Sequence, residues 1–168
     1  MNTDGGIFKE TNLVGIGAIV RNQTGHHMAS LAANIGYATN TTAELRAIRD
    51  GLLLLLNVGI RSIHLKSDSL IVVQMINRKQ AMRVVHQALL RDILNLVKLM
   101  DDVWLQFSFR ETNYTADKLV TVGKNNPYMY NIFLDSPPAW LMESLAHDVN
   151  SVLTRTSTCV VISELLHL

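Results

Sequence analysis

Four acidic residues stand at places in the sequence from which a fold can bring side chains together. Asp4 lies in the opening strand candidate, Glu44 in the first turn of a predicted helix, Asp68 at the end of a predicted strand and Asp117 near the start of a later helix. Magnesium prefers oxygen ligands and keeps several of its waters, so three or four carboxylates suit it better than they suit zinc or calcium. The acids therefore predict a site for Mg²⁺, with Mn²⁺ as an alternative.

Each of these acids also has a purely structural interpretation. Glu44 can complement the dipole of its helix, Asp68 and Asp117 can cap helices, and Asp4 can belong to a turn. For any one of the acids considered alone, the structural interpretation is favoured over the functional one. The local context of all four together is what favours a functional site.

The elements that must position the acids follow from the spacing of apolar residues. Alternation with a period of 2 and helical spacing with a period of 3.6 succeed one another along the chain. Beside the opening strand, the predicted strands are 13–20, 28–37, 62–68 and 104–109, and the predicted helices are 43–57, 69–77, 84–100 and 113–122. This order predicts an α/β fold with a mixed five-stranded sheet, its first three strands antiparallel, flanked by helices.

Composition limits the class of protein. The chain has 168 residues, 48% of them hydrophobic and 17% charged, which is typical of one globular domain with an appendage. A net charge of +1 gives no strong global attraction to nucleic acid, so binding has to come from local arrangement. Cys159 is the one cysteine, which excludes an internal disulfide and a cysteine-based zinc site.

The longest apolar run, residues 52–56, is too short to span a bilayer, and the N-terminal residues lack the features of a secretory signal. We therefore expect a soluble intracellular protein without membrane contact, and we expect it to be a monomer. The choice between nucleus and cytoplasm stays open.

Four short segments carry a resemblance to a known family. They are NTDG at 2–5, TNTTAEL at 39–45, KSDS at 66–69 and RETNYTAD at 110–117. In this order they resemble the successive motifs of type 1 ribonuclease H, and among its members the ribonuclease-H-like domains of plant genomes, many of them retrotransposon-related. The resemblance covers residues 2–123, and FLDSPP at 133–138 is similar to a segment that often follows the domain in the plant group. We thus expect a domain at 1–123 and a tail at 124–168 of unknown function, with a short helix at 140–149.

The resemblance implies a ribonuclease-H-like fold and an endonuclease that cleaves the RNA strand of an RNA–DNA hybrid. Its catalytic residues would be the four acids, which would hold two magnesium ions. A protein that distinguishes the two strands has to read 2′-hydroxyls and duplex shape across the minor groove. By the same resemblance Asn40 and Thr41 would contact that groove, although from the sequence alone both are helix-capping residues. Asn113 would either contact the substrate or cap the last predicted helix.

The sequence departs from the family pattern at three places. Active members carry a histidine ten residues before the last aspartate, and Phe107 stands there in this chain. Residues 8–12, FKETN, replace the usual glycine-containing turn, and Asp4 is so close to the start that its strand is expected to fray. A phenylalanine cannot transfer a proton, so the alternative function is a catalytically weakened ribonuclease-H-like module for binding nucleic acid or another partner.

Overall fold

The structure is a computed structural model that describes residues 1–77, 84–126, 130–134, 137–151 and 159–161. Its strands are β1 (Asn2–Ile7), β2 (Val14–Arg21), β3 (His27–Asn34), β4 (Ser62–Ser67), β5 (Asp102–Phe107), β6 (Tyr130–Leu134) and β7 (Cys159–Val161). Its α-helices are α1 (Asn40–Asn57), α2 (Leu70–Ile76), α3 (Val84–Val97), α4 (Tyr114–Lys124) and α5 (Ala139–Ser151). A 3-10 turn at Arg110–Thr112 precedes α4. The predicted succession of strands and helices is confirmed.

The strands form one mixed sheet in the order β6-β3-β2-β1-β4-β5-β7. β1, β2 and β3 are antiparallel, whereas β4 is parallel to both β1 and β5. The predicted five-stranded core is present, but the prediction of five strands for the whole sheet was too low. The two additional strands come from the tail: β6 pairs with β3 and β7 pairs with β5, so each covers an edge of the core.

The first strand lies in the middle of this sheet and is paired throughout its length. It runs beside β2 from Asn2, opposite Ile19, to Ile7, opposite Val14. On its other side, the backbone N–H of Lys66 donates to the Met1 carbonyl at 2.8 Å. The expected fraying of the strand that carries Asp4 is therefore not observed.

The turn after β1 lacks the family's glycines but still contains a left-handed residue. Asn12 has φ 55°, and its backbone N–H donates to the Phe8 carbonyl at 2.8 Å. Asparagine tolerates this conformation better than most residues because its short polar side chain bonds locally. The turn can therefore close with asparagine at its left-handed position.

The helices cover both faces of the sheet. On one face the buried side chains of α1, α2 and α3 form a core with alternate residues of β2 and β3. On the other face α4 and α5 pack over Ile19 and Ala32. Leu141 and Leu145 of α5 are buried in this second core, so the predicted tail helix exists and packs on the domain.

Within the part of the chain that the structure describes, no helix is both long enough and apolar enough to cross a membrane.

Candidate metal centre

Asp4 and Asp68 are brought together by the pairing of two central strands. β1 and β4 are parallel, with Thr3 opposite Ser67, and the residue that follows each of these two is an aspartate. The backbone N–H of Gly5 donates to Asp4 Oδ1 at 2.8 Å and so orients this carboxylate. Asp4 lies within β1, and Asp68 follows the last residue of β4, so the two aspartates meet where the pairing of these strands ends.

Glu44 reaches the same place from the first helix. Thr39 caps α1 by accepting a hydrogen bond from the Thr42 backbone N–H at 3.2 Å, and the helix begins at Asn40, four residues before Glu44. Carboxylate oxygens of Asp4, Glu44 and Asp68 all lie within 4.8 Å of one another. Three of the four predicted acids thus converge from β1, α1 and the end of β4.

Asp117 lies at the outer side of this group. Its side chain is 44% exposed, and it does not belong to the set of oxygens within 4.8 Å. The guanidinium of Arg110 connects it to the group, with Nη2 3.7 Å from Asp117 Oδ1 and Nε 3.9 Å from Asp68 Oδ2. Asp117 is near enough for its charge to raise the pKa of Asp4.

Burial makes the ionised form of this cluster costly. Desolvation is the largest cause that raises the pKa of Asp4, Glu44 and Asp68 above their ordinary values. Repulsion from neighbouring carboxylates adds to the rise for Asp4 and Glu44, whereas the Arg110 guanidinium opposes it at Asp68. The attraction of a cation bound among these acids would offset both the repulsion between them and the cost of burying their charge.

Two oxygens of the cluster have the properties of unused ligands. Glu44 Oε2 and Asp68 Oδ1 are buried and have no hydrogen-bond partner among the described residues. Buried polar atoms are nearly always satisfied, and these two oxygens are suited to bind a cation. An all-oxygen donor set of this kind fits Mg²⁺ or Mn²⁺.

The predicted substrate residues of the first helix line the same cleft as the acids. Asn40 and Thr41 lie in the first turn of α1, on the wall of the cleft that contains Asp4, Glu44 and Asp68. Phe107, at the end of β5, lines this cleft as well and packs edge-on against Phe109 with ring centroids 5.4 Å apart.

Asn113 does not cap α4, and its predicted contact with the substrate stays a prediction. Its side chain is fully buried and makes no capping hydrogen bond to α4. Instead its amide donates to the Thr3 carbonyl at 2.9 Å and its oxygen accepts from Asn2 Nδ2 at 3.1 Å. Asn113 thus ties the start of α4 to β1 next to Asp4.

Arg110 is the residue of the site that sequence reasoning did not single out. It lines the cleft, and its side chain is 77% exposed. A signal was present, because Arg110 is the first charged residue after the uncharged stretch 103–109 and begins the last motif.

A mixed sheet of this topology, with acids on its central strands and on the helices beside them, defines a ribonuclease-H-like domain. Residues 2–123 match the family model described as reverse transcriptase-like, and the chain belongs to that family. No curated protein sequence matches the chain significantly.

Solved structures share this fold at low sequence identity. RNase H1 from the halophilic archaeon Halobacterium salinarum has a TM-score of 0.69 at 24% identity, over 73% of this chain and 93% of that chain. LC11-RNase H1 was isolated from compost by a metagenomic approach and solved with an RNA/DNA hybrid. It has a TM-score of 0.69 at 22% identity, over 74% of this chain and 94% of that chain. The foamy viral protease-reverse transcriptase solved with dsDNA has a TM-score of 0.61 at 19% identity, over 74% of this chain and 92% of that chain. The expected fold is confirmed.

Proposed function

We propose that this chain is a metal-dependent endonuclease that cleaves the RNA strand of RNA–DNA hybrids by two-metal-ion hydrolysis of phosphodiesters. The observation that carries the proposal is the set of carboxylate oxygens from Asp4, Glu44 and Asp68, within 4.8 Å of one another in an open cleft. Structural acids of the kind considered for each residue alone would have no reason to meet with unsatisfied oxygens.

These three acids would hold Mg²⁺ or Mn²⁺, and Asp117 would complete the ligand set from α4. A bound pair of such ions supplies activation of a water and stabilisation of the leaving oxygen of the phosphodiester. The protein contributes the rigid positions of the ligands: Asp4 stands on β1, Asp68 directly follows the neighbouring strand β4, and Glu44 stands on a capped helix. Metal ligands that stand on rigid elements keep the precise geometry that such catalysis needs.

Arg110 offers a cation beside the acids for the substrate backbone. Its guanidinium is exposed and lies within 4 Å of both Asp68 and Asp117. Arginine binds phosphate through paired hydrogen bonds. With metal ions held by the two aspartates, the Arg110 guanidinium would be available to pair with a phosphate of the substrate strand.

Asn40 and Thr41 would contact the minor groove of the hybrid. Both are polar and short, and both lie at the first turn of α1 on the cleft wall. Reading an A-like duplex depends on 2′-hydroxyls and shape across the wide minor groove, for which small polar side chains are suited. The hybrid bound by LC11-RNase H1, which shares this fold, supports the same class of substrate.

One observation favours a second candidate function. Phe107 lines the cleft at the position where active members of the resembled family carry a histidine. Without a group that transfers protons, turnover falls even where metal and duplex still bind. The second candidate is therefore a catalytically weakened module that binds hybrid without cutting it efficiently.

A cleavage assay distinguishes the two candidates. A hybrid labelled on its RNA strand is incubated with the full chain in Mg²⁺, in Mn²⁺ and in EDTA, with single-stranded RNA as the control substrate. We expect metal-dependent cleavage of the hybrid and little cleavage of the single strand. Hybrid binding by folded protein without cleavage in either metal, even at high enzyme concentration, would overturn the nuclease and leave the binding module.

A further inference from the structure

The start of α4 is held by a residue from the tail. The N-cap residue Asn113 uses its side chain elsewhere and makes no cap hydrogen bond. The backbone N–H of Thr115, in the first turn, instead points at the carboxylate of Asp148, 3.4 Å from Oδ1 and 3.3 Å from Oδ2. Asp148 lies on α5, beyond the residues 2–123 that match the family. It therefore takes the place of the missing N-cap side chain.

The carboxylate of Asp148 is itself held in place. It is fully buried, and Arg21 Nη1 lies 3.2 Å from its Oδ2. Nη2 of the same guanidinium donates to Asn2 Oδ1 at 2.8 Å, which fixes Arg21 against the first strand. A negative charge at a helix N-terminus is also favoured by the helix dipole. The arrangement ties α5, β2 and β1 to the first turn of α4.

The same turn carries Asp117. Its backbone N–H donates to the Asn113 carbonyl at 3.1 Å, which is among the first hydrogen bonds of the helix. Terminal turns fray when their free N–H groups have no acceptor, and a frayed first turn would let the Asp117 carboxylate move away from Asp4 and Asp68. The packing of His147 on Tyr114, with ring centroids 4.5 Å apart, fixes α5 at this position.

On the basis of the metal-binding function proposed above, we propose that Asp148 is a positioning residue for the metal centre, acting through the cap of α4 to hold Asp117. The tail is then part of the working site rather than an appendage to it. Residues that orient metal ligands commonly change metal affinity ten- to a hundred-fold when removed.

Mn²⁺ affinity, measured by electron paramagnetic resonance of the free ion, tests this role without reference to cleavage. We expect Asp148→Ala in the full chain to raise the Kd on the order of ten-fold. Asp148→Asn, which keeps an acceptor for Thr115, should stay closer to wild type. In an Asp117→Asn background, Asp148→Ala should have no further effect. The matched control is Leu141→Ala, which removes a fully buried side chain of the same helix without touching the cap and should leave the Kd unchanged.

Asp148→Ala leaves the Arg21 cation without its partner, so it can fail to fold. In that case Arg21→Met combined with Asp148→Ala removes the cation and the cap together, and the same rise in Kd is expected. An unchanged Kd, an equal rise in Leu141→Ala, or an equal rise in the Asp117→Asn background would overturn the role of Asp148. Wild-type protein that binds no Mn²⁺ would overturn the metal function itself, and the role of Asp148 with it.

Discussion

Gly5 and Ala43 are so close that a Cβ atom on Gly5 would lie 2.4 Å from the Ala43 carbonyl carbon and 2.7 Å from the Glu44 nitrogen. The first strand and the first turn of α1 therefore touch backbone to backbone. Because Asp4 precedes Gly5 and Glu44 follows Ala43, this contact is what sets the two carboxylates beside each other.

Gly5→Ala should separate these two ligands. The added methyl group meets backbone atoms that cannot rotate away, so α1 has to shift, at a cost of about 1–3 kcal/mol in the free energy of unfolding. We expect the melting temperature to fall, and the rise in melting temperature on adding Mg²⁺ to be largely lost. Gly6→Ala is the matched control, since its Cβ would meet only Val120 Cγ1 at an ordinary 3.5 Å. Equal responses to Mg²⁺ in the two variants would show that this approach does not shape the site.

Asp68→Asn should abolish cleavage without destabilising the metal-free fold. Asp68 directly follows a strand that lies between β1 and β5, so its backbone is held rigidly. The amide keeps the shape but lacks the charge that a metal ion needs, and it also removes a buried carboxylate whose pKa is raised by burial. We expect an unchanged or higher melting temperature in EDTA, and a smaller gain than wild type on adding Mg²⁺.

The matched control for Asp68→Asn is Asp101→Asn, which changes an exposed acid outside the cleft. It should cleave and respond to Mg²⁺ as wild type does. If Asp68→Asn gains as much stability from Mg²⁺ as wild type, Asp68 is not a ligand and the proposed site is misplaced.

The metal-free protein should lose stability as the pH rises. The pKa values of Asp4 and Glu44 are raised in the fold, mainly by burial, from ordinary values of 3.8 and 4.5. Between the unfolded and folded pKa values the native state binds more protons, so the free energy of unfolding falls as pH increases through that window. We expect thermal melts in EDTA to show a decline that begins above the ordinary pKa values, passes through about pH 7, where Asp4 titrates, and continues towards about pH 10, where Glu44 titrates.

Glu44→Gln isolates this effect from the titration of other groups. The variant cannot lose the proton, so its decline with pH should be distinctly shallower than that of wild type. Addition of Mg²⁺ should raise the melting temperature of wild type most at the high end of the range, where the acids ionise for the metal. Parallel curves for wild type and Glu44→Gln in EDTA would contradict the assignment of Glu44 to the buried cluster.

Phe107→His should raise the turnover rate on the order of ten-fold or more, because a positioned acid–base group typically contributes at least that much. The side chain at this position lines the cleft with the acids, so an imidazole there can reach the reacting groups. Single-turnover and steady-state rates on a labelled hybrid measure the effect. Phe109→His, which also adds an imidazole to the cleft wall, is the control and should change the rate little. Equal rates for Phe107→His and wild type, with binding unchanged, would show that the position has no part in proton transfer.

The order of strands and helices could be predicted from the sequence because it depends on local hydrophobic period. The alternation of apolar residues in β4 and β5 lies within the few residues of each strand. The helical spacing in α1 and α3 likewise lies within each helix. The family motifs added the four acids and the cleft residues Asn40 and Thr41. The parallel pairing of β1 with β4, which aligns Asp4 with Asp68, could not be predicted in this way, because β2, β3 and α1 lie between the two strands in sequence.

The tertiary structure alone decided how the acids divide and which residues support them. The sequence treats Asp4, Glu44, Asp68 and Asp117 alike, but only the first three meet within 4.8 Å. The tail residues gave no local signal of their roles, because β6 and β7 depend on partner strands far away in sequence. Asp148 contacts Thr115 of α4, 33 residues earlier in the sequence. Asn113 donates to Thr3 of β1, from which it is separated by 110 residues. Such contacts depend on how whole elements pack, and no short-range pattern encodes them.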